Sequence, residues 1–213
     1  MSTIPSCYRP VEGELRLVEQ KLAGIAGEAI KSSSALLPDL VAHVLKAPGK
    51  GTRPAITLLA SKFEHGDNRT PVTMAAAVEL LHIATLIHDD MIDNAETRRG
   101  EPTVSTTWGK NVAVLLGDYV FATSATLVCD TGNVRVIRRF SETIMELSSG
   151  ELSEFTNAYN WNISRESYWK RIYEKTGSLF CTAAESGAIL SGASEGVVQA
   201  LKSYGYNLGL AFQ

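Results

Sequence analysis

Apolar residues recur along the chain at spacings of three and four, the period of an α-helix with one buried face, and no segment shows the strict alternation of a half-buried strand. Leu15, Val18, Leu22, Ile25 and Ala29 form one such stripe and predict a first helix over residues 11–36. Pro38 fits the opening turn of a second helix reaching residue 45. Residues 47–54, Ala-Pro-Gly-Lys-Gly-Thr-Arg-Pro, read as a breaker-rich loop, and Pro54 opens a third helix that ends near residue 63. His65-Gly66-Asp67-Asn68 reads as a turn. A long helix is expected over 72–94, then a polar loop over 98–103 containing Gly100 and Pro102, then helices over 104–110, 111–129, 134–159, 164–190 and 195–212. Ser164, Asp130 or Thr131, and Ser194 are the candidate N-caps. No fixed-period repeat, low-complexity tract or linker interrupts the pattern, so residues 1–213 are expected to form a single all-α domain, a helical bundle.

Composition narrows the choice of function. The chain has 213 residues, 45% of them hydrophobic, enough for a substantial core, and a net charge of −3. That acidity argues against a nucleic-acid partner, which selects a basic surface. Cys7, Cys129 and Cys181 are odd in number and far apart, without a C-x-x-C pair, which points away from a disulfide framework or zinc ribbon and towards a reducing compartment. Residues 1–10 lack the apolar core of a signal peptide, and no uninterrupted apolar run reaches the roughly 18 residues of a membrane span. A cytoplasmic protein without a stable membrane span is the expectation. Asn68-Arg69-Thr70 and Asn162-Ile163-Ser164 match the glycosylation triplet by chance on this reading.

Candidate chemistry concentrates at the end of the long helix, in Glu79-Leu-Leu-His82-Ile-Ala84-Thr85-Leu-Ile-His88-Asp89-Asp90-Met-Ile-Asp93-Asn-Ala-Glu96-Thr-Arg98-Arg99-Gly100. Asp89 and Asp93 are four apart and share a helix face, and Asp90, three before Asp93, completes the group. Like charges so close repel, and the apolar flank raises the cost. A divalent cation relieves it, because Mg²⁺ takes one or two carboxylates and shares its remaining sites with water and substrate phosphates. The ordinary alternative is a solvated acidic helix end. Lys50 and Arg53 lie in the Gly/Pro-rich loop, where backbone can approach an anion and Lys and Arg supply donors to phosphate; ordinary surface charge is the competing reading. His82, seven before Asp89, is expected to face the same cavity, although a lone helical His is more often a satisfied core residue. Arg98-Arg99 have local charge pairing as their ordinary role, and Lys175-Thr176 a helix-end one. No nucleophile–histidine–acid arrangement stands out.

Taken in order, these segments resemble the trans-isoprenyl diphosphate synthases. The aspartate stretch with its Arg-Arg-Gly resembles that family's first aspartate-rich motif, and Gly49-Lys50-Gly51-Thr52-Arg53-Pro54 resembles its Gly-Lys-Arg-x-Arg-Pro loop. Glu79-x-x-His82, Leu116-Gly117-Asp118 and Lys175-Thr176-Gly-Ser-Leu-Phe match further segments. The resemblance implies an antiparallel helical bundle of the isoprenoid synthase type and a Mg²⁺-dependent prenyltransferase. It implies that Asp89, Asp90 and Asp93 hold the metal, and that Lys50, Arg53, His82 and Arg99 hold the metal-free diphosphate of isopentenyl diphosphate. Arg98, Lys175, Thr176 and Gln213 would join the metal on the diphosphate of the allylic substrate, with Lys175 counted among the catalytic groups. Ala84 and Thr85, with Leu81 a turn further down, occupy positions where bulky side chains stop short products in the family; Ala84 and Thr85 are small and imply a C20-or-longer product. Leu81, Tyr119 and Phe121 are alternative floors. The resemblance also implies a homodimer, for which the apolar face around 112–121 is a candidate surface.

Some features depart from the family. Gly51 replaces a basic residue, and Glu154 stands where Gln is frequent after Gly150-Glu151. In the family a Gly-x-x-Phe-Gln like residues 209–213 leads into a second aspartate-rich motif and further helices. The expectation is therefore a piece of a longer synthase, C-terminal helices missing, weakly active or inactive by itself. Two other readings compete: a class I terpene cyclase, which has no second diphosphate for Lys50, Arg53 and His82 to bind, and a non-catalytic subunit of a heteromeric synthase.

Overall fold

The computed structural model describes residues 6–31, 34–46, 49–64 and 66–213. Ala47 and Pro48 of the expected loop, and His65 of the expected turn, lie outside the described residues. A 3₁₀ segment Ser6–Val11 leads into α1 (Glu12–Ala29), α2 (Leu37–Lys46), α3 (Thr52–Ala60) and α4 (Arg69–Ile92). A two-residue hairpin, β1 (Thr97–Arg98) and β2 (Glu101–Pro102), is followed by α5 (Val104–Trp108), α6 (Lys110–Cys129), α7 (Val134–Thr156) and α8 (Arg165–Ile172). A π turn, Tyr173–Gly177, joins α8 to α9 (Ser178–Leu190), and α10 (Glu195–Phe212) ends the chain. The all-α bundle expected from the periodicity is what forms.

α4 organises the bundle. It is apolar nearly all round over its first three turns, with Val72, Met74, Ala75, Ala76, Ala77, Val78, Leu80 and Leu81 buried, as a helix enclosed by others must be. It contributes to all three hydrophobic clusters: with Phe140 and Phe180, with Leu40 and Leu116, and with Val18 and Leu58. Its most extensive partner is α6, while α9 packs on α3 and α10. Glycines permit the closest approaches: a Cβ on Gly187 of α9 would stand 2.1 Å from the Thr57 carbonyl of α3.

By length and average composition α4 and α6 are long and apolar enough to cross a membrane, although neither contains an uninterrupted apolar run of that length, because scattered polar residues do not outweigh the apolar average. In the bundle, 61% of the most apolar stretch of α4 is buried against 33% of that of α6. α4 is thus a core helix, and α6 leaves an apolar face exposed, with Leu115 at 68% and Val114 at 37% exposure.

Several local expectations are corrected. α1 ends at Ala29 rather than residue 36. The stretch 164–190 is two helices around the π turn, not one. Asn133, not Asp130 or Thr131, caps α7, its side chain accepting from the Val136 amide. Ser164 caps α8 by accepting from the Ser167 amide, whereas Ser194 precedes α10 without a side-chain cap bond. The polar loop over 98–103 contains the small hairpin.

Candidate active site

The end of α4 is set by its own backbone. Asn94 adopts a left-handed conformation (φ 53°), and the amides of Asn94 and Ala95 donate to the carbonyls of Met91 and Asp90, closing the helix with a Schellman motif just after Asp93. Arg99 (φ 52°) and Gly100 (φ 85°) then form the two-residue hairpin turn, which needs positive φ at both positions. The turn sends the two arginines to different places. Arg98 folds back on Asp90, its Nε donating at 2.7 and 2.8 Å and its Nη2 pairing at 2.6 Å. Arg99 lies beside Gly49, close to Glu79.

Among the described residues, two of the larger cavities flank α4. The first, about 400 Å³, lies between α4, α6 and α7; Leu81, Ala84, Thr85, Phe121, Ile144 and Leu147 form its apolar part, and Asp89, Glu151 and Lys175 supply its charges. Burial pushes the Asp89 carboxyl up to about 7, helped by the Glu151 charge; Lys175 opposes, Asp93 adds to the rise and Arg98 opposes. Lys175 comes from the π turn, which α7 approaches closely because Gly150 has no Cβ: one there would be 2.8 Å from the Lys175 amide nitrogen. The Lys175 ammonium donates to Glu154 at 2.6 Å and pairs with Glu151 at 3.2 Å. Burial would lower its pKa, but these carboxylates raise it. His88 also lines this cavity, packed over Gly117 with its Nε2 3.3 Å from the Val114 carbonyl.

The second cavity, also about 400 Å³, lies between α1, α2 and α4 and is bounded by Glu79, His82, Gly49, Gly51 and Arg99. His82 is held down to about 3 by burial, then by the charges of Arg53, Arg99 and Arg98. Burial lowers Arg53 to about 10, with Glu79 opposing and Arg99 adding. Its guanidinium stands 4.8 Å over the Phe180 ring, and its buried Nε has no hydrogen-bond partner. Burial raises the Glu79 carboxyl against Arg53 and Arg99. Arg53 and Arg99 around a neutral imidazole make a positive site that favours an anion.

The structure therefore brings Arg53, His82 and Arg99 together, while Lys50 is exposed on the adjoining loop. Asp89 and Asp93 interact, but Asp90 does not join them. Successive helical residues point about 100° apart, so Asp90 turns inward and is clamped by Arg98. Arg98 thereby links the three carboxylates, bonded to Asp90 and acted on by the charges of Asp89 and Asp93. His82 lines the second cavity, not the one below Asp89. Thr176 donates to the Gln213 side chain at 2.7 Å. Leu81, Ala84, Thr85 and Phe121 line the first cavity, whereas Tyr119 packs with the α2–α4–α6 cluster. Sequence reasoning missed Glu151 and the part played by Glu79. The α7 spacing Ile144, Leu147, Glu151, a single helical stripe, was the available signal for the first.

Among the described residues no three His, Cys, Asp or Glu side chains converge to hold a metal by themselves. Asp89 and Glu151 offer carboxylate oxygens at the first cavity, and the raised Asp89 marks a carboxylate whose charge the protein compensates poorly. Such a set fits a hard cation taking one or two carboxylates plus phosphate oxygens, not a closed protein cage.

Residues 34–213 match the model of the polyprenyl synthetase family. The chain belongs to that family. It is 34% identical over 210 residues to heptaprenyl diphosphate synthase component 2 of Geobacillus stearothermophilus, with 99% of this chain and 64% of that protein covered. It is 38% identical over 186 residues to nonaprenyl diphosphate synthase of Mycobacterium tuberculosis, covering 86% of this chain and 55% of the relative. A polyprenyl synthase from Caulobacter crescentus, solved in complex with calcium and isoprenyl diphosphate, superposes with a TM-score of 0.89 at 34% identity over 97% of this chain and 62% of that one. This chain spans just under two thirds of the length of such relatives.

Proposed function

We propose that this chain belongs to an enzyme that condenses isopentenyl diphosphate head to tail with an allylic prenyl diphosphate, giving a C20-or-longer polyprenyl diphosphate. The carrying observation is that α4 separates an acidic, lysine-bearing compartment over an apolar cavity from a compact positive one. The acidic side takes the allylic diphosphate and lets the growing tail run down past Ala84 and Thr85. Arg53, Arg99 and Lys50 take the metal-free diphosphate, with neutral His82 as a hydrogen-bonding neighbour. Asp89 and Asp93 would hold Mg²⁺, which when bound supplies charge stabilisation to a departing diphosphate. Lys175 steadies the same oxygens by ion pairing. The allylic C–O bond breaks with its electron pair leaving on diphosphate, the isopentenyl double bond attacks the resulting cation, and a proton is lost to the released diphosphate. The chain supplies placement and electrostatics, not a nucleophile.

The test is turnover of labelled isopentenyl diphosphate with farnesyl diphosphate and Mg²⁺, followed by product chain-length analysis. Asp89→Asn should lower kcat by at least about 100-fold, as removing charge stabilisation at a departing group does. Ala84→Phe should shorten the product; unchanged lengths reject the assignment of this cavity to the tail. Robust turnover by the 213-residue chain alone refutes the expectation of weak activity. The name of the Geobacillus relative, a component 2, supports a second reading, a subunit of a heteromeric synthase. Turnover that appears only when a second subunit is added favours it. The exposed apolar face of α6 supports a homodimer, which light scattering reads directly. A cytoplasmic location completes the proposal.

A further inference from the structure

Two residues that do not line the first cavity, Tyr173 and Ser178, shape the turn that carries Lys175 into it. In an α-helix the Ser178 amide would donate to the Glu174 carbonyl; here it donates to the Tyr173 carbonyl, five residues back. The fully buried Ser178 hydroxyl donates to the Glu174 carbonyl instead, at 3.0 Å. At the start of the turn the Tyr173 hydroxyl accepts from Arg139 Nη2 at 3.3 Å. Arg139 is fixed by partners outside the turn. Its Nε donates to Thr182 of α9 at 2.9 Å, and its terminal nitrogens hold Glu146 of α7 at 3.0 and 2.7 Å. The far end of the turn is closed by α10, where a Cβ on Gly209 would stand 2.5 Å from the Gly177 Cα. A return to α-helical bonding would rotate Lys175 by about 100° relative to α9, away from Glu151.

We propose that Tyr173 and Ser178 are positioning residues of the allylic site: with Arg139 they hold the turn in its widened form, which keeps the Lys175 ammonium at the cavity where the allylic diphosphate binds. This rests on the reading that Lys175 ion-pairs with that diphosphate. Both residues act through Lys175 and touch no substrate atom. Burial raises the Tyr173 hydroxyl to about 12, with Arg139 opposing, so it keeps its proton near neutral pH and stays a neutral partner for the guanidinium.

Calorimetry on the purified chain tests this with Mg²⁺ and geranyl thiolodiphosphate, which resists ionisation. Tyr173→Phe, which removes one hydroxyl and keeps the ring, should weaken binding about fivefold, the scale of one hydrogen bond. Ser178→Ala, which removes the bond to Glu174, should weaken it in the same way and gives a second, independent variant. Lys175→Ala should weaken binding further, and in that background Tyr173→Phe and Ser178→Ala should have no additional effect. A loss that persists undiminished without Lys175 shows a general structural role and overturns the proposal. Unchanged affinity in Tyr173→Phe and Ser178→Ala, with Lys175→Ala still weakening binding, also overturns it but leaves the reading of Lys175 standing. Unchanged affinity in Lys175→Ala, or no binding by the unaltered chain, overturns both the proposal and the reading beneath it.

Discussion

The adjacent carboxylates Asp89 and Asp90 point to different sides of α4, and their surroundings give them different work. Asp90 is 7% exposed and its charge is tolerable only because Arg98 neutralises it with a bidentate contact. Arg98→Met should therefore cost about 2 kcal/mol, below the value for a fully buried pair because Arg98 is partly solvated. Adding Asp90→Asn should recover most of it; urea denaturation of the two variants reads both. His82 makes a pH prediction with a definite sign. Its pKa falls from 6.5 to about 3 on folding, so below pH 6.5 the unfolded chain binds a proton that the folded one refuses. Stability should fall by about 2 kcal/mol as the pH drops to roughly 5, and His82→Gln should flatten that slope in urea midpoints measured against pH. Glu79, whose carboxyl is raised, tilts the curve the other way above 4.5, so the difference between His82→Gln and the unaltered chain isolates the histidine. From sequence, the residue types at this site were legible but their directions were not. His82 and Asp89 are near-neighbours in helical phase yet line different cavities, because what each meets is decided by α1, α2, α6 and α7.

Among the elements, α6 and α10 follow their apolar stripes to within a residue, and α4 departs only at its ends. The π turn had no signature of composition: Tyr173-Glu-Lys-Thr-Gly continues a good helical pattern. Its cause is tertiary. The Tyr173 hydroxyl accepts from buried Arg139 at 3.3 Å, its ring stacks near Tyr206, and Gly150 lets α7 press on the Lys175 amide. Widened turns of this kind recur at functional sites, here aiming Lys175 at Glu151. The hairpin was hidden for another reason: Arg99-Gly100 replaces the Asn-Gly that usually announces such a turn. Helix contacts make a further prediction. Gly187→Ala would drive a methyl into the Thr57 carbonyl, and α9 must retreat from α3 at a cost of about 3 kcal/mol, read as a lowered denaturation midpoint.

Across the whole molecule the fold class was legible because helical period, caps and breakers agree over almost every segment. The arrangement of two cavities on one helix was not, since no local pattern specifies which neighbour covers which face. The burial of α9 has a consequence in time as well as in space. Every residue from Ser178 to Ala188 is buried, so no fraying of the surface frees its amides. Amide hydrogen exchange should find α9 the slowest segment, opening only with the whole bundle, while α1, largely exposed, exchanges orders of magnitude sooner. Slow exchange in α1 and fast exchange in α9 would reverse that order. On a protein held this way, α3 stays anchored through α9, whereas α1, on the other side of the second cavity, is the wall that opens first.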